Sequence, residues 1–454
     1  MFCKMYLLEE TIMNTAESLR KDALQIYFAG LHAVEADTCI RKYMAVKENS
    51  LTIGGKTYDL GKYNNIYLTG FGKVSGFMAA AVEKLLGDKI KKGIVNVRYG
   101  YTTPCKYVKL NPAGHPIPDS SGINGTKEII DIAKEANEDD LVFCLISGGG
   151  SALFELPYAG ISLEEIKEIT ASLLKCGATI DEMNAIRKHL SLVKGGRFAG
   201  LCKAEMISVI LSDVINDPLE TIASGATSPD PSTFQDCEWI LNKYNLHHKI
   251  PVSIQQHIQN GIHGYVEETP KPGDKIFDRV SNIIIGNNRT ALAASKEKGG
   301  QLGYNTLILS SCIKGEAREI AKVFGAIARE IHASGCPAER PACIIAGGES
   351  TVTVKGNGLG GRSQEFSLSA AIEIDGLADT LILSAGTDGM DGNTEAAGAM
   401  VDGTTIINAK SKKLHPEKYL LNNDSFSFFK ETNELIVTGP TKTNVMDVML
   451  LLVK

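Results

Sequence analysis

The sequence predicts an α/β protein with mostly parallel sheets, and three observations support this fold class. Short apolar runs alternate with longer amphipathic runs along nearly the whole chain, in the strand–helix–strand order that parallel sheets require. Some runs, such as LVFCLI at residues 141–146, are apolar throughout, as expected of strands that helices cover on both faces. Loops dense in glycine follow four of these runs, and ligands bind at such strand ends in open parallel sheets.

Each predicted strand is an apolar or β-branched run bounded by polar or glycine residues. In chain order, the predicted strands cover residues 65–69, 93–97, 141–146, 207–211, 283–285, 306–309, 343–346 and 381–383. Helices are predicted where alanine and apolar residues recur at helical spacing, over residues 73–86, 127–136, 163–176, 291–298, 316–334 and 363–371. Residues 51–60 instead predict a β-hairpin, because two short strand-like pieces flank Gly54 and Gly55.

The composition limits the class of protein. The chain has 454 residues, enough for two or three domains of about 100–200 residues each. EETPKPGDK at residues 267–275 is the predicted linker, so the expected domains are residues 1–266 and 276–454. A net charge of −6 argues against general affinity for nucleic acid or anionic lipid.

The ten cysteines include no CxxC pair, so we interpret them as reduced core residues rather than a zinc site or a disulfide scaffold. The N-terminal residues do not have the pattern of a secretory signal. No apolar run reaches the ~20 residues of a membrane-spanning helix. These features favour a cytoplasmic protein that does not span a membrane. A homo-oligomer is compatible with the sequence, which does not fix the oligomeric state.

Two loops in the first half of the chain predict binding of phosphate. GFGK places Lys73 at the start of a predicted helix, where the helix dipole prefers an anion, and a bound anion would suit both the lysine and the dipole. A second loop has three consecutive glycines, whose N–H groups can form an anion-binding concavity. Its predicted nucleotide-binding residues are Ser147, Gly148, Gly149, Gly150 and Ser151. Neither loop has the spacing GxxxxGK[ST] or GxGxxG.

Two further loops in the second half carry charged residues among glycines. Arg362 follows GNGLGG at a predicted helix start and could clamp a carboxylate or phosphate with two parallel hydrogen bonds. The predicted nucleotide-binding residues here are Gly347, Gly348, Glu349, Gly360 and Gly361. In the loop TDGMDG, Asp388 and Asp391 suit Mg²⁺, which takes one or two carboxylates plus phosphate oxygens.

Polar residues also follow the predicted strand at 207–211. Asp213 and Asp217 lie in SDVINDP, where either could act as a general base or a metal ligand. Upstream, the run NAIRKHLSLVKGG contains the cations Arg187, Lys188, His189 and Lys194. One helical face could carry some of these cations, although such a run is more often a solvated face. His189 is more typical of a structural histidine, because nothing in the sequence pairs it with a nucleophile.

With these residues in place, the sequence resembles the glycerate 2-kinase family, whose C-terminal part is the MOFRL domain. The similarity covers most of the chain and is carried, in order, by GFGK (70–73), AGHPIPD (113–119), LISGGGSALFELP (145–157), NAIRKHLSLVKGG (184–196), LSDVINDPLETIASGATSPDPSTF (211–234), ETPKPGD (268–274), AGGESTVTVKGNGLGGRSQEF (346–366), SAGTDGMDGNTEAAGA (384–399) and VTGPTKTNVMDVMLLL (437–452). The resemblance implies two α/β/α three-layer domains, the first Rossmann-like, with the active site in the interdomain cleft. It also implies phosphorylation of D-glycerate at the 2-hydroxyl by ATP with Mg²⁺, and it points to Lys73 and Arg362 as active-site cations.

Residues and resemblance together give a predicted site. The predicted catalytic residues are Lys73, Asp217 and Arg362. The predicted substrate-binding residues are Lys73, Arg187, Asp213, Asn216, Arg362 and Gln364. The predicted metal ligands are Asp213, Asp388 and Asp391. The choice of base among the aspartates stays open.

Two other functions stay open at this point. One is an NAD(P)H-dependent hydroxypyruvate reductase, against which the missing GxGxxG and the missing acidic residue for the ribose count. The other is a non-catalytic sensor of an organic acid or nucleotide. Paired aspartates beside phosphate-binding loops favour an enzyme.

Overall fold

The computed structural model describes the backbone of residues 2–454 and the side chains of residues 16–454. The chain divides into two compact units. One unit consists of residues 36–285, and the other combines residues 1–35 with residues 286–454. This division differs from the predicted boundary at residues 267–275, because the N-terminal segment belongs with the C-terminal part of the chain.

The segment predicted as a linker is bound to the unit of residues 36–285. The carboxylate of Glu268 accepts hydrogen bonds from His189 Nε2 at 2.6 Å and from the backbone N–H of Phe234 at 3.0 Å. The carbonyl oxygen of Pro270 accepts from the N–H of Asp230 at 2.9 Å. The segment with these prolines and this glycine is therefore a fixed loop of the unit rather than a flexible linker. The strand that follows it, β9, also belongs to this unit.

The elements from the N-terminus to the end of this unit are α1 (Phe2–Ala33), α2 (Ala36–Tyr43), β1 (Met44–Lys47), β2 (Ser50–Ile53), β3 (Lys56–Asp59), β4 (Ile66–Phe71), α3 (Ser75–Leu86), β5 (Ile90–Arg98), β6 (Val108–Ala113), α4 (Ser120–Glu135), β7 (Leu141–Ser147), α5 (Gly150–Leu153), α6 (Leu163–Lys175), α7 (Ile180–His189), α8 (Arg197–Leu201), β8 (Glu205–Leu211), α9 (Phe234–Lys243), α10 (Val252–Ile262) and β9 (Val280–Gly286). Strands β1 to β3 form a small antiparallel sheet, which confirms the predicted hairpin at 51–60.

The large sheet of this unit has the strand order β6-β5-β4-β7-β8-β9, and the pairs from β6 to β8 are parallel. This is the doubly wound order of Rossmann folds, with the reversal of direction between β4 and β7. Neighbouring residues of β5 face opposite sides of the sheet: Asn96 lies against Gly125 of α4, and Val97 lies against Gly76 of α3. Helices therefore cover both faces, and the predicted Rossmann-like three-layer unit is confirmed.

The elements of the other unit, after α1, are α11 (Asn288–Gln301), β10 (Asn305–Ile313), α12 (Ala317–Ser334), β11 (Ala342–Gly348), α13 (Arg362–Glu373), β12 (Thr380–Gly386), β13 (Gly398–Asp402), α14 (Thr405–Ser411), α15 (Pro416–Leu421), α16 (Ser425–Thr432), β14 (Leu435–Ile436) and β15 (Asp447–Val453). Residues of α12 and α13 share one apolar core with the sheet, and residues of α1 and α11 share another. Alternate residues of β15 belong to the two cores, so this unit also has three layers.

The second sheet is mixed, which corrects the expectation of mostly parallel strands. Its order is β10-β11-β15-β12-β13-β14, and only β10 and β11 form a parallel pair among the described strands. The last strand, β15, lies between β11 and β12 and runs against both. No crossover helix precedes β15, so the chain enters the sheet from the edge where β11 and β12 end, and this fixes the antiparallel direction.

The eight strands predicted from apolar runs are all confirmed, and each predicted end lies within four residues of the observed end. The predictions missed the strands β1, β6 and those after β12. They also missed the helices α1, α2, α5, α7 to α10 and α14 to α16. No helix within the described residues combines the length and apolar character of a membrane span. Every cysteine among the described side chains is a free thiol.

Candidate active site

The loops after β4 and β7 meet where the order of the parallel sheet reverses. The backbone N–H of Lys73 donates to the carbonyl oxygen of Gly148 at 2.8 Å, and that of Val74 donates to Ser147 Oγ at 3.1 Å. Gly72 has φ +136°, and a Cβ there would collide with the side chain and carbonyl of Ser147. Glycine at 72 therefore allows the two loops to join into one surface at the position where doubly wound sheets bind ligands.

The hydroxyl groups of the loop SGGGS are used inside the protein. Ser75 Oγ donates to the carbonyl oxygen of Phe71 at 2.8 Å, so Ser147 Oγ, 2.8 Å from Ser75 Oγ, must donate to it. In the same way Ser224 Oγ donates to Asn184 Oδ1 at 3.1 Å, and Ser151 Oγ donates to Ser224 Oγ at 2.8 Å. The predicted hydroxyl donors Ser147 and Ser151 therefore hold the loop in place.

The backbone of the same loop still has donors to offer. Gly149 has φ +80° and precedes the short helix α5. The N–H groups of Gly149, Gly150 and Ser151 donate to no residue that the structure describes. Lys73 Cγ lies 3.2 Å from the position that a Gly149 Cβ would take. A buried N–H group without a hydrogen-bond acceptor costs free energy, and an anion can accept hydrogen bonds from several such groups at once. Three N–H groups beside a lysine side chain therefore suit an anion.

A left-handed turn supports this loop from the side. Ala223 and Ser224 have φ values of +49° and +58°, a conformation that costs a non-glycine residue about 1–3 kcal/mol. The Ala223 Cβ lies 2.6 Å from where a Gly150 Cβ would be, so glycine is required at 150. Asn184 on α7 fixes this turn through Ser224. Arg187 follows Asn184 by three residues and so lies on the same face of α7.

The cationic run after Asn184 is largely buried, contrary to the interpretation as a solvated face. Lys194 is fully buried, donates to the carbonyl oxygens of Ser151 at 2.8 Å and Phe154 at 2.5 Å, and pairs with Glu155 at 3.2 Å. Lys188, also buried, pairs with Asp230 at 3.1 Å.

His189 is buried, with Nδ1 2.7 Å from the carbonyl oxygen of Ala185 and Nε2 2.6 Å from the carboxylate of Glu268, so the structural interpretation of this histidine fits.

Arg187 is the half-buried cation of this run. Burial lowers the pKa of its guanidinium, and the nearby Glu155 opposes the shift. Burial likewise lowers the pKa of Lys194, with Glu155 opposing and Arg187 adding to the shift. The guanidinium of Arg187 forms no hydrogen bond or ion pair with the described side chains. A partly desolvated cation of this kind favours an anionic ligand.

The loop after β8 brings the aspartates of SDVINDP to the same edge of the sheet. Asn216 and Asp217 both have left-handed backbone, with φ +66° and +55°. Asp213 and Asp217 are half-buried and Asn216 is exposed. Because β8 is the neighbour of β7, these side chains follow the strand next to the SGGGS loop. Two successive strained residues at a strand end are typical of functional loops.

In the other unit, Arg362 forms the centre of an acidic cluster. Its Nε and Nη2 donate to the two oxygens of Asp447 at 2.6 and 3.0 Å, and its Nη1 donates to Glu349 at 2.6 Å. Asp447 begins β15 and is paired in the sheet with Gly348 and Gly386, which end β11 and β12. Burial by itself lowers the pKa of Arg362, but the neighbouring Asp447 has the larger effect, so the pKa is raised above its ordinary value. Two guanidinium N–H groups remain for a ligand.

Asp391 caps the helix that Arg362 begins. Its carboxylate accepts from the N–H groups of Ser363 at 3.2 Å and Gln364 at 2.8 Å, and from Gln364 Nε2 at 3.0 Å. Burial raises the pKa of Asp391 to about 7, although these hydrogen bonds lower it. The anion expected at this helix start is thus a side chain of the protein. Asp391 and Gln364, predicted as metal ligand and substrate-binding residue, are both buried and bonded to each other.

The glycines of the second half lie against protein atoms. A Cβ at Gly347 or Gly348 would collide with Asn288 or with the backbone of Ile313. A Cβ at Gly360 or Gly361 would collide with Ser425 or with Asp391. These glycines therefore allow close packing around the acidic cluster, and Glu349 is paired with Arg362.

Asp388 and Asp447 form a pair of neighbouring carboxylates. The Oδ1 atoms of both lie 3.5 Å from the position that a Gly386 Cβ would take. Tyr27 on α1 donates its hydroxyl to the Gly386 carbonyl at 2.8 Å. Burial raises the pKa of Asp447, and Arg362 opposes this shift. No group of three potential metal ligands is assembled among the described side chains, but Mg²⁺ needs only one or two carboxylates when phosphate supplies other ligands.

Three residues that sequence reasoning missed lie at these two edges. Asp447 follows no glycine loop, and its partner Arg362 is 85 residues away. Tyr27 comes from the helix α1, which was not predicted. His115 lies in the motif AGHPIPD, which was the available signal, although the strand before it, β6, was not predicted.

Comparison with known proteins gives two family matches. A model described as a domain of unknown function, DUF4147, matches residues 22–259, and the MOFRL family model matches residues 342–447. The chain is 40% identical over 439 residues to a glycerate 2-kinase of Pyrococcus horikoshii, covering 96% of this chain and 98% of that protein. It is 40% identical over 445 residues to a D-glycerate 2-kinase of Thermotoga maritima, covering 96% and 99%. The crystal structure of a glycerate kinase from Thermotoga maritima matches with a TM-score of 0.84, covering 96% of this chain and 100% of that one.

Proposed function

The chain belongs to the glycerate kinase family with a MOFRL domain and phosphorylates glycerate, and we propose that it transfers the γ-phosphoryl group of ATP to the 2-hydroxyl of D-glycerate. Family membership confirms the resemblance that the sequence motifs indicated. The observation that carries the finer proposal is the group of backbone donors at Gly149, Gly150 and Ser151 beside Lys73, where the parallel sheet reverses. Phosphoryl transfer requires positioned donors and charge neutralisation more than covalent catalysis.

We assign the nucleotide phosphates to the SGGGS loop. Its N–H groups and Lys73 would bind the phosphate oxygens, while Ser147 and Ser151 hold the loop through their hydroxyl bonds. Lys73 would also neutralise the charge of the transferring group. This use of backbone N–H groups resembles other phosphate-binding loops in chemistry, although the spacing differs.

Glycerate offers one carboxylate and two hydroxyls, so its site needs a cation and a proton acceptor. Arg187 is the half-buried cation of the same unit, and Asp213 and Asn216 provide polar groups after β8. We assign Asp217 as the acceptor of the hydroxyl proton. The hydroxyl oxygen then bonds to the γ-phosphorus, the bond from that phosphorus to the bridging oxygen breaks, and ADP leaves.

The acidic cluster around Arg362 fits magnesium. The neighbouring carboxylates of Asp388 and Asp447 would hold the ion, which supplies neutralisation of phosphate charge when bound. Asp391 does not fit this role, because its oxygens already accept three N–H bonds. Arg362, held by Asp447 and Glu349, would present its two remaining N–H groups to substrate anions.

A paired assay tests the reaction. The protein is incubated with D-glycerate, ATP and Mg²⁺, and product is detected once with enolase and once with phosphoglycerate kinase as the coupling enzyme. We expect signal only with enolase, because enolase uses 2-phosphoglycerate. Signal only with phosphoglycerate kinase would show that the product is 3-phosphoglycerate and would contradict transfer to the 2-hydroxyl. ADP release independent of glycerate would contradict the proposal as a whole.

The same preparation tests the other functions. Oxidation of NADH or NADPH with hydroxypyruvate would support a reductase. Tight binding of glycerate or nucleotide without turnover would support a sensor.

A further inference from the structure

His115 follows β6 and lies against the SGGGS loop, which follows β7, although β6 and β7 are not adjacent in the sheet. Its Cδ2 and Nε2 atoms are each 2.7 Å from the position that a Gly149 Cβ would take. Lys73 Cγ is 3.2 Å from the same point. The imidazole edge and the lysine chain therefore lie together over Gly149, and any side chain at 149 would displace the ring.

The segment before α4 holds His115 in this place. The carboxylate of Asp119 accepts from the N–H of Gly122 at 2.9 Å and from the Tyr99 hydroxyl at 2.8 Å. Burial raises the pKa of Asp119, but these bonds and one from the N–H of Gly114 lower it overall. Asp119 therefore links the residue before His115 to the first turn of α4, which holds the backbone beside His115 in place.

The groups of the SGGGS loop and of Lys73 near the imidazole are hydrogen-bond donors. Lys73 is a cation, and the N–H groups of Gly149, Gly150 and Ser151 are donors. An imidazole can donate a hydrogen bond from a ring nitrogen to an oxygen of a ligand. A set of donors and one cation around an open loop is complementary to the oxygens of a phosphoryl group.

We propose that His115 is a further phosphate-contacting residue, whose Nε2–H donates a hydrogen bond to a phosphoryl oxygen of the nucleotide on the SGGGS loop. This inference rests on the proposed function, because it uses the nucleotide assignment to that loop. The ring completes the donor set that Lys73 and the backbone begin.

Two variants of similar size test the proposal. His115→Leu keeps the bulk of the ring and removes the donor, whereas His115→Gln places a side-chain N–H at about the reach of Nε2. A hydrogen bond to a charged group is typically worth enough for a tenfold to hundredfold effect. We expect His115→Leu to weaken binding of a non-hydrolysable ATP analogue with Mg²⁺ by roughly ten- to a hundredfold. His115→Gln should stay within about threefold of the unmodified protein, because it keeps a hydrogen bond of this kind.

Calorimetric titration of the analogue gives the affinities, and kcat and KM for ATP and for glycerate locate the effect. A change confined to the KM for glycerate would overturn the assignment to the nucleotide. Unchanged affinity in His115→Leu, or equal loss in both variants, would also overturn it. If the unmodified protein binds the analogue but does not phosphorylate glycerate, the proposed function fails while the comparison of the two variants still decides the role of His115.

Discussion

Lys73 and Arg362 each stand at the start of a helix, but their electrostatic surroundings differ. Lys73 lies over a loop with unused backbone donors. Arg362 is bound to Asp447 and Glu349, and Asp391 occupies the helix N-terminus beside it. We therefore expect Lys73 to act mainly on substrate charge. Arg362 also holds a buried carboxylate, so we expect its replacement to affect folding as well as turnover.

Replacement of Lys73 tests the first part of this view. We expect Lys73→Met to lower kcat/KM by roughly a hundredfold or more, the scale of losing one transition-state donor. The free energy of unfolding should change little. Lys84→Met is the matched control, because Lys84 is an exposed lysine of α3 paired only with Asp37 in the described structure. Steady-state kinetics give kcat/KM, and urea unfolding gives the free energy of unfolding. Near-normal kinetics of Lys73→Met would show that Lys73 does not act in the reaction.

Replacement of Arg362 should have two effects. In Arg362→Met the buried Asp447 loses its ion pair, so we expect a hundredfold or greater loss of kcat/KM and about 2–3 kcal/mol lower stability. Arg362→Lys keeps a charge for Asp447 but lacks the planar fork. It should recover most of the stability and little of the activity. Equal stability of all three proteins in urea unfolding would contradict the role of the Asp447 pair.

Among the elements, the segment at residues 267–275 shows how a loop can fix a helix that carries predicted site residues. Glu268 joins it to His189 at the end of α7, the helix that also carries Asn184 and Arg187. Asn184 in turn reaches the turn beside the SGGGS loop. Proline and glycine favoured a linker here, but the side-chain bonds of Glu268 form across 79 residues and leave no local signal in the sequence.

Glu268 should make the stability depend on pH in the acid range. Burial raises its pKa, but hydrogen bonds from His189 and from two backbone N–H groups lower it from 4.5 to about 2. A lowered carboxylate pKa stabilises the folded state above the unfolded pKa, and this contribution is lost as the pH falls from 4.5 to about 2. We expect Glu268→Gln to be less stable at neutral pH, with the difference shrinking through this window.

Urea unfolding at several pH values measures the difference. Glu267→Gln is the control, because Glu267 is the exposed neighbour in the same segment. A difference between Glu268→Gln and the unmodified protein that stays constant down to the lower end of the window would show that the lowered pKa does not contribute.

For the whole molecule, the main organising feature is that both ends of the chain belong to one unit. Arg20 on α1 donates to Asp402 at 3.0 and 2.6 Å, and Lys454 Nζ lies 2.9 Å from both Ser18 Oγ and Asp22 Oδ2. Tyr27 reaches the end of β12. The N-terminal helix is thus required to cover one face of the mixed sheet and to support the acidic cluster.

Separate fragments test this organisation. We expect residues 36–285 alone to unfold cooperatively, because their three layers are complete. Residues 286–454 alone leave uncovered the sheet face that α1 packs against, so they should bind a hydrophobic dye and lack a cooperative transition. Co-expression with residues 1–35 should restore both properties. Cooperative, dye-free folding of residues 286–454 alone would contradict the structural role of α1.

Much of the architecture could be predicted from local patterns. Apolar runs and helical spacing identified β4, β7, β8, β11 and β12, because burial selects the residues of each strand in place. Motif resemblance indicated the family. The glycine loops after β4 and β7 were also visible, since close approach of two backbones requires glycine at positions such as Gly72.

The sequence by itself thus determined the eight strands with apolar runs, several of the helices between them, the α/β class and the family of this protein. Only the tertiary structure decided which strands pair and which charges meet. The insertion of β15 between β11 and β12 made the second sheet mixed and brought Asp447 to Arg362. It also decided that Asp391 caps a helix and that His115 lies over Gly149. The physical reason is that secondary structure follows local burial patterns, whereas ion pairs and loop contacts depend on how distant segments pack.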